Sequence, residues 1–173
     1  FTFLIYYYNI IDKNFLWREY MNIGIDIDGT LTDEHGYMLK KALEYIEREK
    51  LDYKIEDESQ YYTIDVFNWG EKIEEEFWDE FISDYAKNVE IYDNAAEVIH
   101  KLKKDNKIFI ITSRGFTTEE SERGELMRSL VAKWLQSNNV EYDELIFAKH
   151  GKVEECKKCN LDVMIEDSAY NME

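Results

Sequence analysis

The sequence contains no proline and only two cysteines. Proline makes up about 5% of an average protein, so the turns of this chain must rely on glycine, asparagine and aspartate. Cys156 and Cys159 form one C-x-x-C motif, and without a second pair the sequence cannot build a four-cysteine zinc site. A redox motif would place its first cysteine at a helix N-terminus, whereas "GKVEECKKC" is helical throughout. We interpret both cysteines as ordinary helix residues, and unpaired thiols favour a cytoplasmic location.

Basic residues are scarce as well. The chain has 38 acidic side chains against 21 basic ones, which gives a net charge of -17. Protein surfaces that follow a phosphate backbone are basic, so this charge argues against duplex nucleic acid as a partner. A small phosphorylated substrate is compatible with it if a metal ion and one or two cationic side chains are concentrated at the site.

Long hydrophobic runs are also missing. The opening segment "FTFLIYYYNII" is too short to span a bilayer. It also lacks the basic start and the small-residue cleavage site of a signal peptide, so no membrane partner is expected. Met21 directly precedes the first confident strand, and we therefore interpret residues 1–20 as an N-terminal extension.

What the sequence does contain is an alternating pattern over residues 93–173. The strand-like apolar runs "KIFIITS", "ELIFA" and "DVMIED" alternate with amphipathic segments. One of these segments is predicted to place on a single helix face Leu126, Leu130, Val131, Trp134 and Leu135. Such alternation indicates a parallel sheet covered on both sides, here an α/β, Rossmann-like, doubly wound core formed by residues 21–33 and 93–173. Residues 34–92 have helical patterns without comparable strands, which predicts a small helical cap inserted after the first core strand.

Polar side chains follow each of the four predicted core strands. Ligands of an open parallel sheet collect outside the carboxyl ends of its strands. These ends carry Asp26, Asp28 and Gly29; Thr112 and Ser113; Lys149 and Lys152; and Glu166 and Asp167. Four carboxylates would repel one another unless a divalent cation lay among them, and oxygen-only ligands favour Mg²⁺. Beside hydroxyl and ammonium donors, such a set suits phosphoryl transfer, in which an aspartate can carry the phosphoryl group.

The segment "DIDGTLTD" resembles the first motif of the haloacid-dehalogenase-like phosphohydrolases. "FIITS" resembles the second motif, Lys152 the third and "IEDS" the fourth, all in the family's order, with Lys149 as an alternative for the third. The resemblance implies that Asp26 is a nucleophile and Asp28 a general acid and base. The phosphate-binding residues are then expected to be Gly29, Thr112, Ser113 and Lys152.

The same resemblance implies a bound Mg²⁺. Its ligands would be Asp26, the backbone carbonyl of Asp28, and Asp167, with Glu166 acting through water. In this family the chain usually continues past the fourth motif with another helix and strand, so truncation after Glu173 is expected.

Within the family, the helical insertion and the last motif are most similar to 5'-nucleotidases of the deoxyribonucleotidase type. The resemblance therefore implies hydrolysis of nucleoside 5'-monophosphates. Two alternatives remain open. In the first, the same catalytic residues act on sugar phosphates or other small phosphates, or pass the phosphoryl group to a second substrate. In the second, the chain is a non-catalytic module that binds metal or phosphate.

The cap is expected to close over the phosphate site as a lid. Its aromatic residues would either stack on the base or form the cap's own core, and those considered are Tyr61, Tyr62, Phe67, Trp69 and Trp78. Arg114, in the loop after the second motif, is expected either to steer an anion or to be a solvated loop residue.

Overall fold

The computed structural model describes residues 4–7, 20–149 and 151–172, the first of these segments by its backbone only. The described residues divide into two compact units. One lies within Phe1–Thr32 and Glu90–Glu173, and the other spans Asp33–Val89. His150, which the sequence suggests is a surface or packing residue, lies outside the described part.

The first unit is built on a five-stranded sheet. Its strands are β1 (Leu4–Tyr7), β2 (Asn22–Ile25), β3 (Lys107–Thr112), β4 (Glu144–Phe147) and β5 (Val163–Glu166), in the spatial order β1-β5-β2-β3-β4. Strands β5, β2, β3 and β4 are parallel to one another. The predicted α/β fold with a parallel core sheet is therefore confirmed.

Helices α4 (Ala95–Lys103), α5 (Glu122–Ser137) and α6 (Val153–Lys158) connect the parallel strands, and a 3₁₀ turn, Ala169–Met172, follows β5. Side chains alternate between the two faces of a strand. Phe109 of β3 packs in one cluster with Cys156 of α6, whereas Ile25 of β2 and Ile99 of α4 line a cavity on the other face. Coverage on both faces explains why β3 is apolar along nearly its whole length.

Two features of this unit differ from the sequence-based prediction. Leu126 is 52% exposed, while its neighbour Met127 is buried in its place on the apolar face of α5. Strand β1 also adds to the sheet as an antiparallel partner of β5, although residues 1–20 were interpreted only as an extension. The remaining residues of that extension before Tyr20 lie outside the described part.

The second unit is helical, with α1 (Glu34–Glu49), α2 (Thr63–Phe67) and α3 (Glu71–Asn88). Helix α1 begins at Asp33, whose side chain accepts a hydrogen bond from Gly36 N at 3.0 Å and so caps the first turn. The three helices enclose a core of their own, composed of Met38, Ala42, Tyr45, Ile46, Val66, Phe67, Trp69, Phe77 and Phe81.

That core decides between the two roles considered for the aromatic residues. Phe67 and Trp69 are 1% and 3% exposed, and their rings stack on each other at 4.9 Å. The idea that either of them stacks on a nucleobase is therefore wrong, because both are enclosed in the helical core. Tyr61 and Tyr62 are 46% and 49% exposed, and for them the prediction stands.

None of the helices in the described part of the chain combines the length and the apolar character needed to cross a membrane.

Candidate active site

A buried ammonium group lies between two carboxylates at the carboxyl ends of β2 and β5. Lys152 Nζ is 2.5 Å from Asp26 Oδ1 and 2.7 Å from Glu166 Oε2. All three side chains are at most 3% exposed. Asp26 is held in place by its own backbone, because its N–H donates to Ile165 O at 3.0 Å and extends the pairing of β2 with β5. Three buried charges are tolerable only because they neutralise one another in part.

Burial and charge together set the protonation of this group. Loss of water raises the pKa of Asp26 well above its ordinary value, and the negative charges of Glu166 and Asp28 add to the rise against the attraction of Lys152. For Lys152, burial acts to lower the pKa, but the attraction of Asp26 and Glu166 outweighs it and the pKa is raised. Lys152 is therefore held in its cationic form, and further positive charge beside Asp26 would favour the ionised form of that carboxyl.

Glu166 is fixed on both of its oxygens. Oε2 accepts from Lys152, while Oε1 accepts from Ser168 N at 3.2 Å and from Asn171 Nδ2 at 2.9 Å. The carbonyl of Asn171 in turn accepts from Lys152 N at 2.7 Å. Asn171 thus links the side chain of Glu166 to the backbone at the start of α6 and fixes their relative position.

Asp167 is brought against Gly29, the residue that follows the D-x-D segment. A Cβ atom built on Gly29 would lie 2.0 Å from Asp167 Oδ2, and the backbone of Gly29 has a φ of +70°. Both the close approach and the left-handed conformation require glycine at this position. The turn after β2 can therefore accept the carboxylate of Asp167 only because it has no side chain there.

The residues present fit a divalent metal ion. Asp26, Glu166 and Asp167 each offer a carboxylate oxygen, and these oxygens all lie within 4.8 Å of one another. When ionised, the three carboxylates carry more negative charge than the ammonium of Lys152 can balance, and a divalent cation would complete the neutralisation. Hard oxygen donors of this kind suit Mg²⁺.

The side chain of Asp28 contacts a different residue, Arg114. Arg114 Nε donates to its Oδ1 at 3.1 Å and its Oδ2 at 3.3 Å, and Arg114 Nη2 donates to Oδ1 as well. The Arg114 side chain is only 1% exposed, whereas that of Asp28 is 17% exposed. The solvated loop position considered for Arg114 from the sequence is therefore wrong, because the guanidinium is enclosed and bonded to Asp28. The alternative of anion steering stays a prediction.

The remaining predicted residues tie the neighbouring loops together. Thr112 Oγ1 accepts from Arg114 N at 3.1 Å and donates to Asp28 Oδ2 at 3.4 Å. Ser113 Oγ donates to Lys149 O at 3.1 Å. Lys149 has an exposed side chain, whereas Lys152 is buried against Asp26, and this difference favours Lys152 over Lys149 as the lysine of the third motif.

Comparison with known proteins finds relatives over most of the chain. A nucleotidase of Clostridium acetobutylicum is 30% identical over 154 residues, which cover 88% of this chain and 73% of that protein. The protein YqfW of Bacillus subtilis, provisionally named a nucleotidase, is 27% identical and covers 87% of this chain and 72% of its own length. The chain belongs to the family of these nucleotidases.

Membership in the nucleotidase family makes the chain a hydrolase of the phosphatase and nucleotidase class. No family model matches the sequence. Among solved structures, a haloacid-dehalogenase-like hydrolase from Streptococcus pneumoniae is 13% identical with a TM-score of 0.48, over 89% of this chain and 79% of that one.

Two contacts of this candidate site do not follow from the sequence analysis: the pairing of Arg114 with Asp28 and the contact of Asn171 with Glu166. For Arg114, the available signal was the predicted parallel sheet. Strand β2 pairs with β3, with Ile25 opposite Ile110, so the loops after both strands emerge side by side. Asn171 carries no comparable signal, because only the folded 3₁₀ turn brings its amide to Glu166.

Proposed function

We propose that this chain hydrolyses nucleoside 5'-monophosphates in an Mg²⁺-dependent reaction that passes through an aspartyl-phosphate at Asp26. The observation that carries the proposal is the convergence of three carboxylates, Asp26, Glu166 and Asp167, of which the first two pair with the buried ammonium of Lys152. A cluster of this charge at the end of a buried strand is costly without a bound cation. It is well suited to a reaction that moves an anionic phosphoryl group.

In the first step, a carboxylate oxygen of Asp26 attacks phosphorus while the bond from phosphorus to the leaving oxygen breaks. Asp28 gives its proton to that oxygen, and the nucleoside leaves as a neutral alcohol. In the second step, water attacks phosphorus as its proton passes to Asp28. The bond between phosphorus and Asp26 then breaks, which releases phosphate and restores the carboxylate.

Mg²⁺ would be held by Asp26, Asp167 and the backbone carbonyl of Asp28, with Glu166 completing the set through water. When bound, the ion would supply positive charge that keeps Asp26 ionised and neutralises the phosphoryl oxygens. Lys152 would hold one phosphoryl oxygen beside Asp26. Because its ammonium is fixed by Glu166, it keeps that position without any cost of reorganisation.

The other phosphate contacts would come from the loops after β2 and β3. Gly29 has no side chain, so the backbone amides of its turn would be open to phosphate oxygens. The hydroxyls of Thr112 and Ser113 are the further donors in our proposal. Both are bonded to neighbouring loops at present, so binding of phosphate would have to redirect them.

The choice of a nucleotide as substrate rests on the relatives. Two of them carry nucleotidase names and align over more than four fifths of this chain. The net charge of -17 disfavours polyanionic substrates and leaves small phosphomonoesters. We also propose a cytoplasmic location, since Cys156 and Cys159, the two cysteines of the sequence, form no disulfide, as expected in a reducing compartment.

The test is a panel of phosphomonoesters assayed with Mg²⁺. It would contain ribo- and deoxyribonucleoside 5'-monophosphates, sugar phosphates and an aryl phosphate, each with and without an added alcohol as phosphoryl acceptor. We expect the highest kcat/KM for nucleoside monophosphates. A preference for sugar phosphates would overturn the substrate assignment, and turnover that requires the alcohol would identify a phosphotransferase. Absence of turnover on the whole panel would favour a binding module.

A further inference from the structure

The pairing of Arg114 with Asp28 is more elaborate than a surface ion pair. The guanidinium donates to both oxygens of one carboxylate, through Nε and Nη2. A bidentate fork of this kind fixes the plane of the carboxylate as well as its distance. The side chain that provides it is almost completely enclosed, so the orientation is set by the protein interior and not by solvent.

Hydrogen bonds also fix the backbone of Arg114. Its N–H donates to Thr112 Oγ1 at 3.1 Å, and its carbonyl accepts from Thr117 Oγ1 at 2.6 Å. The same loop is tied to α5, because Arg128 Nη1 donates to Thr117 O at 2.8 Å and to Glu119 O at 2.9 Å. The hydrogen bonds of the loop after β3 therefore fix the position from which the guanidinium of Arg114 contacts the carboxylate of Asp28.

Exposure separates a positioning role for Arg114 from direct contact with the substrate. The Arg114 side chain is 1% exposed, whereas 17% of the Asp28 side chain is exposed. Of the two residues, Asp28 is therefore the one that a reacting group can approach from solvent.

We propose that Arg114 is a positioning residue, which holds the Asp28 carboxylate in the orientation from which it exchanges protons with the leaving oxygen and with water. This inference rests on the proposed function, in which Asp28 is the general acid and base. It assigns Arg114 a role in the reaction that acts only through Asp28.

The leaving group provides a readout that a merely structural role would not affect. A nucleoside leaves as a strongly basic alkoxide unless it is protonated, whereas a nitrophenol leaves readily as its anion. Loss of proton donation therefore slows phosphoryl transfer from a nucleotide far more than from an aryl phosphate. Because kcat/KM reports the steps up to the first irreversible bond cleavage, the comparison is made on kcat/KM.

The experiment compares Arg114→Met and Arg114→Lys with the wild type on a nucleoside monophosphate and on p-nitrophenyl phosphate, both with Mg²⁺. We expect Arg114→Met to lower kcat/KM for the nucleotide by about 100-fold or more, the usual range of general acid catalysis, with a loss of only a few-fold for the aryl phosphate. Arg114→Lys should show the same selectivity in weaker form, because lysine keeps the charge but not the fork.

Arg48→Met is the matched control, since it removes an arginine of α1 that bonds Glu49 and Glu80 and has no part in the Arg114 loop. It should affect both substrates equally. A second comparison adds Arg114→Met to the variant Asp28→Asn. In that variant the carboxylate of residue 28 is already gone, so the loss of Arg114 leaves no unpaired negative charge behind. The added change should lower kcat/KM for the nucleotide by less than about threefold, as expected when two residues act as one unit.

Equal losses on both substrates for Arg114→Met would overturn the positioning role while leaving the proposed function intact. A large further loss in the Asp28→Asn background would overturn it as well. If the wild type hydrolyses neither substrate with Mg²⁺, the proposed function fails, and this inference fails with it.

Discussion

Asp26 and Lys152 form a buried ion pair, with 2.5 Å between Asp26 Oδ1 and Lys152 Nζ. Glu166 shares the same ammonium from the other side at 2.7 Å. One positive charge is thus divided between two carboxylates, and Asp167 adds a third within 4.8 Å. The excess of negative charge in this group leads to the first prediction.

Chelation should abolish activity, and Mg²⁺ should restore it whereas Ca²⁺ should not. Mg²⁺ prefers octahedral geometry at about 2.1 Å, while the larger Ca²⁺ recruits additional oxygens and would engage Asp26 too fully for attack. Mg²⁺ should also raise Tm, because at a hundredfold excess over Kd a ligand that binds only the folded state adds about 2.7 kcal/mol. The comparison is thermal unfolding with and without Mg²⁺ for the wild type and for Asp167→Asn, which should respond much less. Undiminished hydrolysis after exhaustive chelation would refute the metal assignment.

Gly29→Ala should raise the Kd for Mg²⁺ in addition to lowering the free energy of unfolding. The new Cβ would lie 2.0 Å from Asp167 Oδ2, so this carboxylate must move. Gly70→Ala is the matched control, since Gly70 also has a positive φ of +80° but no atom within 4 Å of the added Cβ. Both variants should lose roughly 1–3 kcal/mol of stability from backbone strain at a positive φ, measured by chemical unfolding. Only Gly29→Ala should raise the Kd for Mg²⁺, and equal effects of the two substitutions on metal binding would contradict the account.

Asn171→Ala should lower Mg²⁺ affinity or activity by about 10- to 100-fold, the usual effect of losing a partner of a metal-binding group. The substitution removes the donor that fixes Glu166 Oε1 at 2.9 Å. Tyr170, which is 60% exposed on the same turn, gives the control variant Tyr170→Ala. Calorimetric titration with Mg²⁺ provides the measurement. If both variants bind the metal as the wild type does, Asn171 has no part in the site.

Substitution of Tyr61 or Tyr62 by alanine tests the nucleotide assignment. These exposed rings form an edge-to-face pair with centroids 4.8 Å apart. Stacking on a base is worth about 1–3 kcal/mol, so loss of the stacking ring should raise KM for nucleotides by about 5- to 150-fold and leave an aryl phosphate nearly unchanged. Tyr53→Ala, at a residue that is 37% exposed, serves as control. An equal effect on both substrates would show that the rings do not contact the base.

The core of the fold was predictable because its sequence signal is periodic. Strands β3, β4 and β5 are short apolar runs between amphipathic helices, and that pattern leaves few arrangements other than a covered parallel sheet. At Leu126, helical periodicity does not decide which residue is buried. Leu126 and Met127 both lie at helical spacing from Leu130 and Val131, so the pattern alone could not tell which of them is buried. Strand β1 is as short as β4 and β5, but it lies outside the alternation of strands and helices that identified those two.

The candidate site was predictable where the argument depended on strand ends alone. Asp26, Lys152 and Glu166 were each predicted from their position after a strand, and the sheet brings them together. The partner of a side chain in a loop cannot be obtained in that way, because it depends on how adjacent loops pack. Arg114 is the example, since its sequence position is equally compatible with solvent, with an anion or with Asp28.

The central claim is that Asp26 carries the phosphoryl group, and the most direct measurement is peptide mapping by mass spectrometry of enzyme quenched in acid during turnover. The samples are the wild type, Asp28→Asn and Asp26→Asn, each mixed with a nucleoside monophosphate and Mg²⁺. We predict one phosphoryl group on the peptide that contains Asp26 in the first two, with more of it in Asp28→Asn because hydrolysis of the intermediate is slowed. Asp26→Asn should show none and should retain less than about 1% of the wild-type rate, since an amide cannot act as the nucleophile. Turnover by the wild type without any phosphoryl group at Asp26, or comparable turnover by Asp26→Asn, would contradict the account.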